Sequence, residues 1–210
     1  MPTLSSRLLV VTDRHQTNGR PLVSLLQRAL TVGECTIQLR ERDLSARELL
    51  ILAREVQALT SSHRSQLLIN DRIDIALALE GAGVHLRSNS LPVSVARKLL
   101  GAQRLLGVSV HSVEEALEVE SQGADYIILG PIYETPSKQM FGPPLGIYTL
   151  EKACRLVRIP IVGIGGVTAS RARAMRHAGA FGTAVITAIL GAEDVESATR
   201  ELIDAVTLAS

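Results

Sequence analysis

Short apolar runs alternate with longer amphipathic ones from one end of the chain to the other. The runs at 8–13, 36–40, 66–70, 83–86, 105–110, 126–132, 160–165 and 182–186 are β-branched or leucine-rich and too short for helices. They predict eight strands. Between them, the stretch 47–59 carries Leu49, Leu52, Val56 and Leu59 at helical spacing, and 114–120, 169–177 and 195–206 read the same way. Gly81-Ala82, Gly123-Ala124 and Gly179-Ala180 each stand where a helix should close and a strand begin. A glycine just past a helix end accepts the left-handed conformation that stops it. Strand–helix alternation of this kind means a parallel sheet. Eight units favour closure over an open doubly wound sheet, which usually has fewer strands. The expectation is an α/β chain, a single (β/α)8 TIM barrel, forming one domain over residues 1–210.

Composition sharpens this picture. Hydrophobic residues make up 46% and aromatics 2%, with no Trp, so the core must be aliphatic, as suits buried parallel strands under a coat of helices. Lys and Arg number 22 against 21 Asp and Glu, a balance that gives no reason to expect nucleic acid or a membrane as partner. Cys35 and Cys154 share no metal or redox spacing and read as small buried hydrophobes of a reducing compartment. The N-terminal stretch lacks the features of a secretory signal, and no apolar run approaches the roughly 20 residues that span a bilayer. A cytoplasmic protein is expected.

In a barrel of this kind the residues at the C-terminal strand ends face the active site. That filter leaves a polar set: Gln38, Arg40, Glu41 and Arg42; Asn70 and Asp71; Ser109 and His111; Thr135, Ser137 and Lys138; Gly163 to Gly166; Ile186 and Thr187. Gly165 and Gly166 let backbone N–H groups approach an anion, and a helix starting near Thr168 adds its positive end. A tight turn without ligand is the alternative, but the position after the seventh strand is a usual phosphate site. Arg40, Arg42 and Lys138 put three cations on the same mouth, either to grip phosphate or to pair with Glu41, Asp43 or Glu134 on the rim. Asn70-Asp71 could hold Mg²⁺, orient a substrate or cap a helix. His111 is a candidate general acid–base, with a capping histidine as its competitor. His15, His63, His85 and His177 are less promising by position.

Taken in order, the segments QLRER (38–42), LLINDRIDIALAL (67–79), GVHL (83–86), GVSVHS (107–112), GADYIILGPIYETPSK (123–138), PIVGIGGVT (160–168) and AGAFGTAVITAI (178–189) resemble the thiamine-phosphate synthase family, which includes the TenI-type thiazole tautomerases. The resemblance implies a phosphorylated thiazole resting on Gly166, Ile186 and Thr187, with Thr135, Ser137 and Lys138 nearby. For the synthase it implies a pyrimidine diphosphate held by Gln38, Arg40, Asn70 and position 42, Ser109 lining the pyrimidine site, and Mg²⁺ on Asp71 and a second carboxylate. The chain departs from that pattern at two of these positions: Ser90 stands where the second carboxylate is expected, and Arg42 where a lysine is. A hydroxyl is a much poorer Mg²⁺ ligand than a carboxylate. These departures, together with SLP at 90–92 and ET at 134–135, resemble the tautomerase branch, which uses no metal and would transfer a proton through His111. Asn70-Asp71 and Gly130-Pro131 keep the synthase form. The expectation leans to the tautomerase without cofactor. The metal-dependent synthase is the alternative and a non-catalytic thiazole-phosphate-binding protein the third reading, each open to homo-oligomer formation.

Overall fold

A computed structural model describes residues 2–135 and 143–207. The chain runs β1 (Leu8–Val11), a 3-10 turn (Arg14–Gln16), α1 (Leu22–Val32), β2 (Thr36–Leu39), α2 (Ala46–Ser62), β3 (Leu67–Asn70), α3 (Ile73–Leu77), β4 (Gly83–Leu86) and α4 (Val93–Leu100). It continues through β5 (Leu106–Val110), α5 (Val113–Ser121), β6 (Tyr126–Leu129), α6 (Gly146–Leu156), β7 (Ile161–Ile164), α7 (Ala169–His177), β8 (Gly182–Val185), α8 (Thr187–Leu190) and α9 (Val195–Thr207). The strands form a closed parallel barrel in sequence order, β8 pairing with β1. The expected TIM barrel is what the chain adopts.

Local chemistry accounts for the joints. Ser45 and Glu48 cap the start of α2 reciprocally, Ser112 accepts from Glu115 at the start of α5, and Thr168 accepts from Arg171 at the start of α7. Gly123 (φ +98°) and Gly179 (φ +97°) close α5 and α7. Their N–H groups, and those of Ala124 and Ala180, take up the last helical carbonyls at 3.0–3.1 Å. The third expected closure differs. Helix α3 ends at Leu77 with Ala78 as its cap, so Gly81 (φ +74°) turns a short loop beyond it. Several strands also stop before their apolar runs do. Ile132 is fully buried and Ile186 packs on the core although both lie past the ladder. Apolarity therefore reports burial there, not pairing.

Most of the core lies between the strands and the helices, while a smaller cluster of Leu9, Val11, Leu68, Tyr126, Ile128, Val162 and Ala184 fills the barrel itself. Residues in register share a face, and the inward face can be followed around the barrel. Gln38 lies beside Leu68, Asn70 beside His85, His85 beside Gly107, Gly107 beside Tyr126, and Ser109 beside Ile128. Gly107 has no side chain because the Tyr126 ring occupies that space, and a Cβ there would fall inside the ring. His85 is fully buried, its Nδ1 2.8 Å from the Tyr126 hydroxyl and its Nε2 2.8 Å from Ser109 Oγ. Loss of solvation in the core pushes its pKa down to about 3, so the imidazole is neutral. Burial likewise raises the Cys35 thiol to about 12, which fits the inert role expected of it.

Two predictions follow from this interior. Gly107→Ala should cost about 1–3 kcal/mol or more in urea unfolding, because a packed core tolerates added atoms poorly. Combining it with Tyr126→Val should cost less than the sum of the two single changes; additive losses would mean that Tyr126 is not what excludes a side chain at 107. The second concerns pH. The unfolded chain protonates His85 near its ordinary pKa of 6.5, whereas the folded chain does so only near 3. Unfolding therefore takes up a proton between those values, and the stabilisation is complete above 6.5 and lost as pH falls. From pH 6.5 to 5 the loss should be about 1–2 kcal/mol. His85→Gln should flatten the stability slope in that interval, and parallel slopes for the two proteins would contradict the assignment.

Candidate functional site

The mouth of the barrel has an anion-shaped side and a polar side. On the first, the loop after β7 carries Gly165 (φ +102°) and Gly166 (φ +60°). A Cβ on Gly165 would meet Pro131, and one on Gly166 the Glu134 carbonyl, so backbone conformation and space both demand glycine. Arg171 pins this loop, donating to the Gly166 carbonyl at 2.7 Å while its guanidinium lies 4.7 Å from the Tyr133 ring centre. In the next loop Ile186 follows β8 as the N-cap of α8 and Thr187 opens that helix, which brings the expected phosphate-binding residues of both loops to adjoining strands. Thr135 is partly exposed in the loop after β6. Ser137 and Lys138 lie outside the described residues.

The polar side belongs to β2–β5. Gln38 is 2% exposed, and its buried Nε2 has no hydrogen-bond partner among the described residues. An unsatisfied buried amide donor is costly, which marks it as one that a ligand would satisfy. Asn70 is buried at the end of β3. Ser109 ends the chain of contacts from Tyr126 through His85, and the directions in that chain can be assigned. The Tyr126 hydroxyl meets only His85 Nδ1 among the described residues, so an unsatisfied buried O–H is avoided if Tyr126 donates to Nδ1. His85 then donates from Nε2 to Ser109 Oγ, which leaves the serine proton to face the mouth.

His111 is exposed just beyond β5. Its Nδ1 lies 2.6 Å from the Gly130 carbonyl oxygen. A carbonyl can only accept, so Nδ1 carries the proton and Nε2 presents its lone pair. The capping alternative for this ring is not realised, since Ser112 supplies the cap of α5.

Carboxylates on the mouth are committed to holding it together. Buried Glu41 accepts from the Thr12 hydroxyl at 2.6 Å and from the Arg14 N–H at 3.1 Å. Asp43 takes both Arg14 and His15, and the Arg14 and His15 hydrogen bonds hold its carboxyl at about 2. Neither is therefore the partner of Arg40, whose nearest carboxylate is Asp13 at 3.7 Å. Burial, then the charge of Arg42 and, more weakly, that of Arg87, push the Arg40 pKa below its usual value. Arg42 itself is exposed.

Asp71 follows β3 directly with φ +60°. One of its oxygens accepts the Arg87 backbone N–H at 3.1 Å and the other is ion-paired with Arg87 Nε. Burial raises the Asp71 pKa, but the hydrogen bonds from Ser90 and Arg87 outweigh it and hold the carboxyl below its ordinary range. Asp71 does not cap α3, whose N-cap is Arg72. As a Mg²⁺ site the donors are poor: one carboxylate already engaged, a hydroxyl at position 90, and no cluster of three or more His, Cys, Asp or Glu among the described residues. These residues do not fit a metal held by protein carboxylates. Arg87, His85 and Tyr126 are the participants that strand-end reasoning passed over. Counting by twos from Gly83 would have turned His85 inward, whereas nothing in the sequence marks the contact between Asp71 and Arg87.

Comparison with known proteins identifies the family. The family described as thiamine monophosphate synthase matches residues 8–189. A thiamine-phosphate synthase of Moorella thermoacetica is 45% identical over 202 residues, covering 96% of both chains. One of Roseiflexus castenholzii is 42% identical over 195 residues, 93% of this chain and 86% of the relative. Among solved structures, the thiamine phosphate pyrophosphorylase of Pyrococcus furiosus superposes with a TM-score of 0.86 at 34% identity, covering 97% of this chain and 96% of that one. A 3-hexulose-6-phosphate synthase, at 21% identity and a TM-score of 0.71, shares the fold alone. With a match from the first strand through the last helix before α9, and relatives this similar over nearly their whole length, the chain belongs to the thiamine monophosphate synthase family.

Proposed function

We propose that the chain is a thiamine-phosphate synthase, joining a hydroxymethylpyrimidine diphosphate to a thiazole phosphate with release of diphosphate. The departures at positions 42 and 90 tilt the expectation toward a tautomerase, but relatives at 42% and 45% identity bearing the synthase name support the transferase better. The observation that carries the reading is Gln38 Nε2, unpartnered among the described residues, beside the incompletely paired Arg40 and across the mouth from the glycine loop. Two anionic substrates need such a divided site. In the reaction the bond from the pyrimidine methylene to the diphosphate oxygen breaks, and the thiazole nitrogen supplies the pair for the new C–N bond. Arg40 and Arg42 would meet the charge that grows on the departing diphosphate, where fixed donors matter most. Gln38 and the Ser109 hydroxyl would orient the pyrimidine, with Asn70 beside them. The Gly165–Gly166 backbone and the start of α8 at Ile186–Thr187 would hold the thiazole phosphate, assisted by Thr135, Ser137 and Lys138. We also propose a cytoplasmic enzyme of one domain, acting on small phosphorylated molecules without nucleic acid or membrane.

One observation favours the tautomerase as a second reading: the free Nε2 lone pair of His111 is suited to proton transfer. Incubation of the protein with both substrates and Mg²⁺ should yield thiamine phosphate. Gln38→Ala should lower kcat/KM by about tenfold or more, roughly the loss of one hydrogen bond in a dry site. Failure to couple, together with isomerisation of a thiazole carboxylate phosphate that His111→Ala abolishes, would replace this reading by the tautomerase.

A further inference from the structure

The metal-binding corner that the family resemblance implies is occupied by different chemistry in this chain. Asp71 donates its backbone N–H to the His85 carbonyl at 2.9 Å, which extends the β3–β4 pairing one residue past the strand and sets the carboxylate beside the first residue after β4. That residue is Arg87. The carboxylate grips it twice, through the backbone N–H and through Nε, and the Ser90 N–H closes the following turn on the Arg87 carbonyl at 3.1 Å. Because only Nε is used, both terminal nitrogens of the guanidinium make no hydrogen bond among the described residues, and the side chain is 44% exposed. Four N–H donors thus remain in a fixed fork, a geometry matched to phosphate oxygens.

The neighbours make this a site for an anion. Arg40 and Arg42 end the adjoining β2 side of the mouth, and Arg87 is close enough for its charge to be felt at Arg40. Against these three cations stand Asp71, consumed by Arg87, Asp13, 3.7 Å from Arg40, and Glu41, whose charge also reaches Arg40 but which is paired with Arg14. With a carboxylate at 90 and no arginine at 87, the corner would carry excess negative charge and call for a cation. With Ser90 and Arg87 it is already neutralised, and an approaching divalent cation would meet a guanidinium.

Resting on the synthase reading for the identity of the anion, we propose that Arg87 is a further residue of the diphosphate site. It supplies the positive charge that a divalent cation would bring, and Asp71 and Ser90 are its positioning residues. Diphosphate is then bound by guanidinium forks, without need of metal.

Titration of the protein with inorganic diphosphate tests this, in EDTA and again with Mg²⁺, using calorimetry so that catalysis is not required. The wild-type protein should bind in EDTA, with an affinity that Mg²⁺ changes by less than about threefold. Arg87→Ala should weaken binding in EDTA by about tenfold or more, and Arg87→Lys should restore only part of it, since an ammonium lacks the fork. The double change Arg87→Gly with Ser90→Asp should make binding depend on Mg²⁺. Wild-type binding that is absent in EDTA, or an Arg87→Ala variant that is folded and binds as tightly as the wild type, overturns the proposal. The coupling assay separates the two ideas. Coupling abolished by EDTA removes this inference and leaves the enzyme reading, while metal-free diphosphate binding through Arg87 without coupling does the reverse.

Discussion

In a closed parallel barrel, residues paired in register on neighbouring strands must point to the same face, and the other features of this protein depend on that constraint. Because the register carries the inward face from Gln38 through Leu68 and Asn70 to His85, Gly107 and Ser109, polar side chains from four successive strands are gathered into one half of the interior. The opposite half, from Ile128 through Val162 and Ala184 to Leu9, is apolar. A polar sector against an aliphatic wall is held without solvent only if its members satisfy one another. Tyr126, lying over the bare Gly107 backbone, does this for His85, and His85 does it for Ser109. Among the described residues, Gln38 Nε2 and, deeper on the same strand, Thr36 Oγ1 are left unsatisfied, and of the two Gln38 stands nearer the mouth.

The charges around the mouth divide labour in a similar way. Glu41 and Asp71 lie within two residues of strand ends, and both are spent on arginines and on backbone N–H groups of neighbouring loops. They fix loops and aim guanidiniums. Arg40 is left with a distant partner and Arg87 with unused donors, so guanidinium groups face the opening from β2 and β4. Across the barrel the glycine loop after β7 contributes backbone instead of side-chain charge. Two anionic groups could thus be received at two places by two different means, one through side-chain forks and one through a backbone turn.

What the sequence by itself determined was the architecture and the outer edge of the site. Strict alternation of short apolar and amphipathic runs specified eight strands and their order, since a run of four or five leucines, valines and isoleucines can be buried on both faces only as a central parallel strand. Gly123, Gly179, Gly165 and Gly166 were legible because each needs a positive φ, a property of the residue alone. The strand ends were less legible. Residues 130–132 and 186 remain apolar past the ladder, and burial leaves the same mark on a loop as on a strand.

Tertiary structure alone decided which polar groups meet. His85 was unpromising in the sequence because it sits mid-strand, and only the register with Gly107 and Tyr126 turns it into the support of Ser109. Glu41 and Asp43 are adjacent to Arg40 and Arg42 along the chain, yet they pair with Arg14 and His15 from another loop. Asp71 reads as a metal ligand or a helix cap until the β3 and β4 loops come together and Arg87 takes its carboxylate. Periodicity encodes which way a side chain points, because that depends on the backbone of its own segment. Which partner it finds depends on distances between segments far apart in the chain, and closing the barrel sets those.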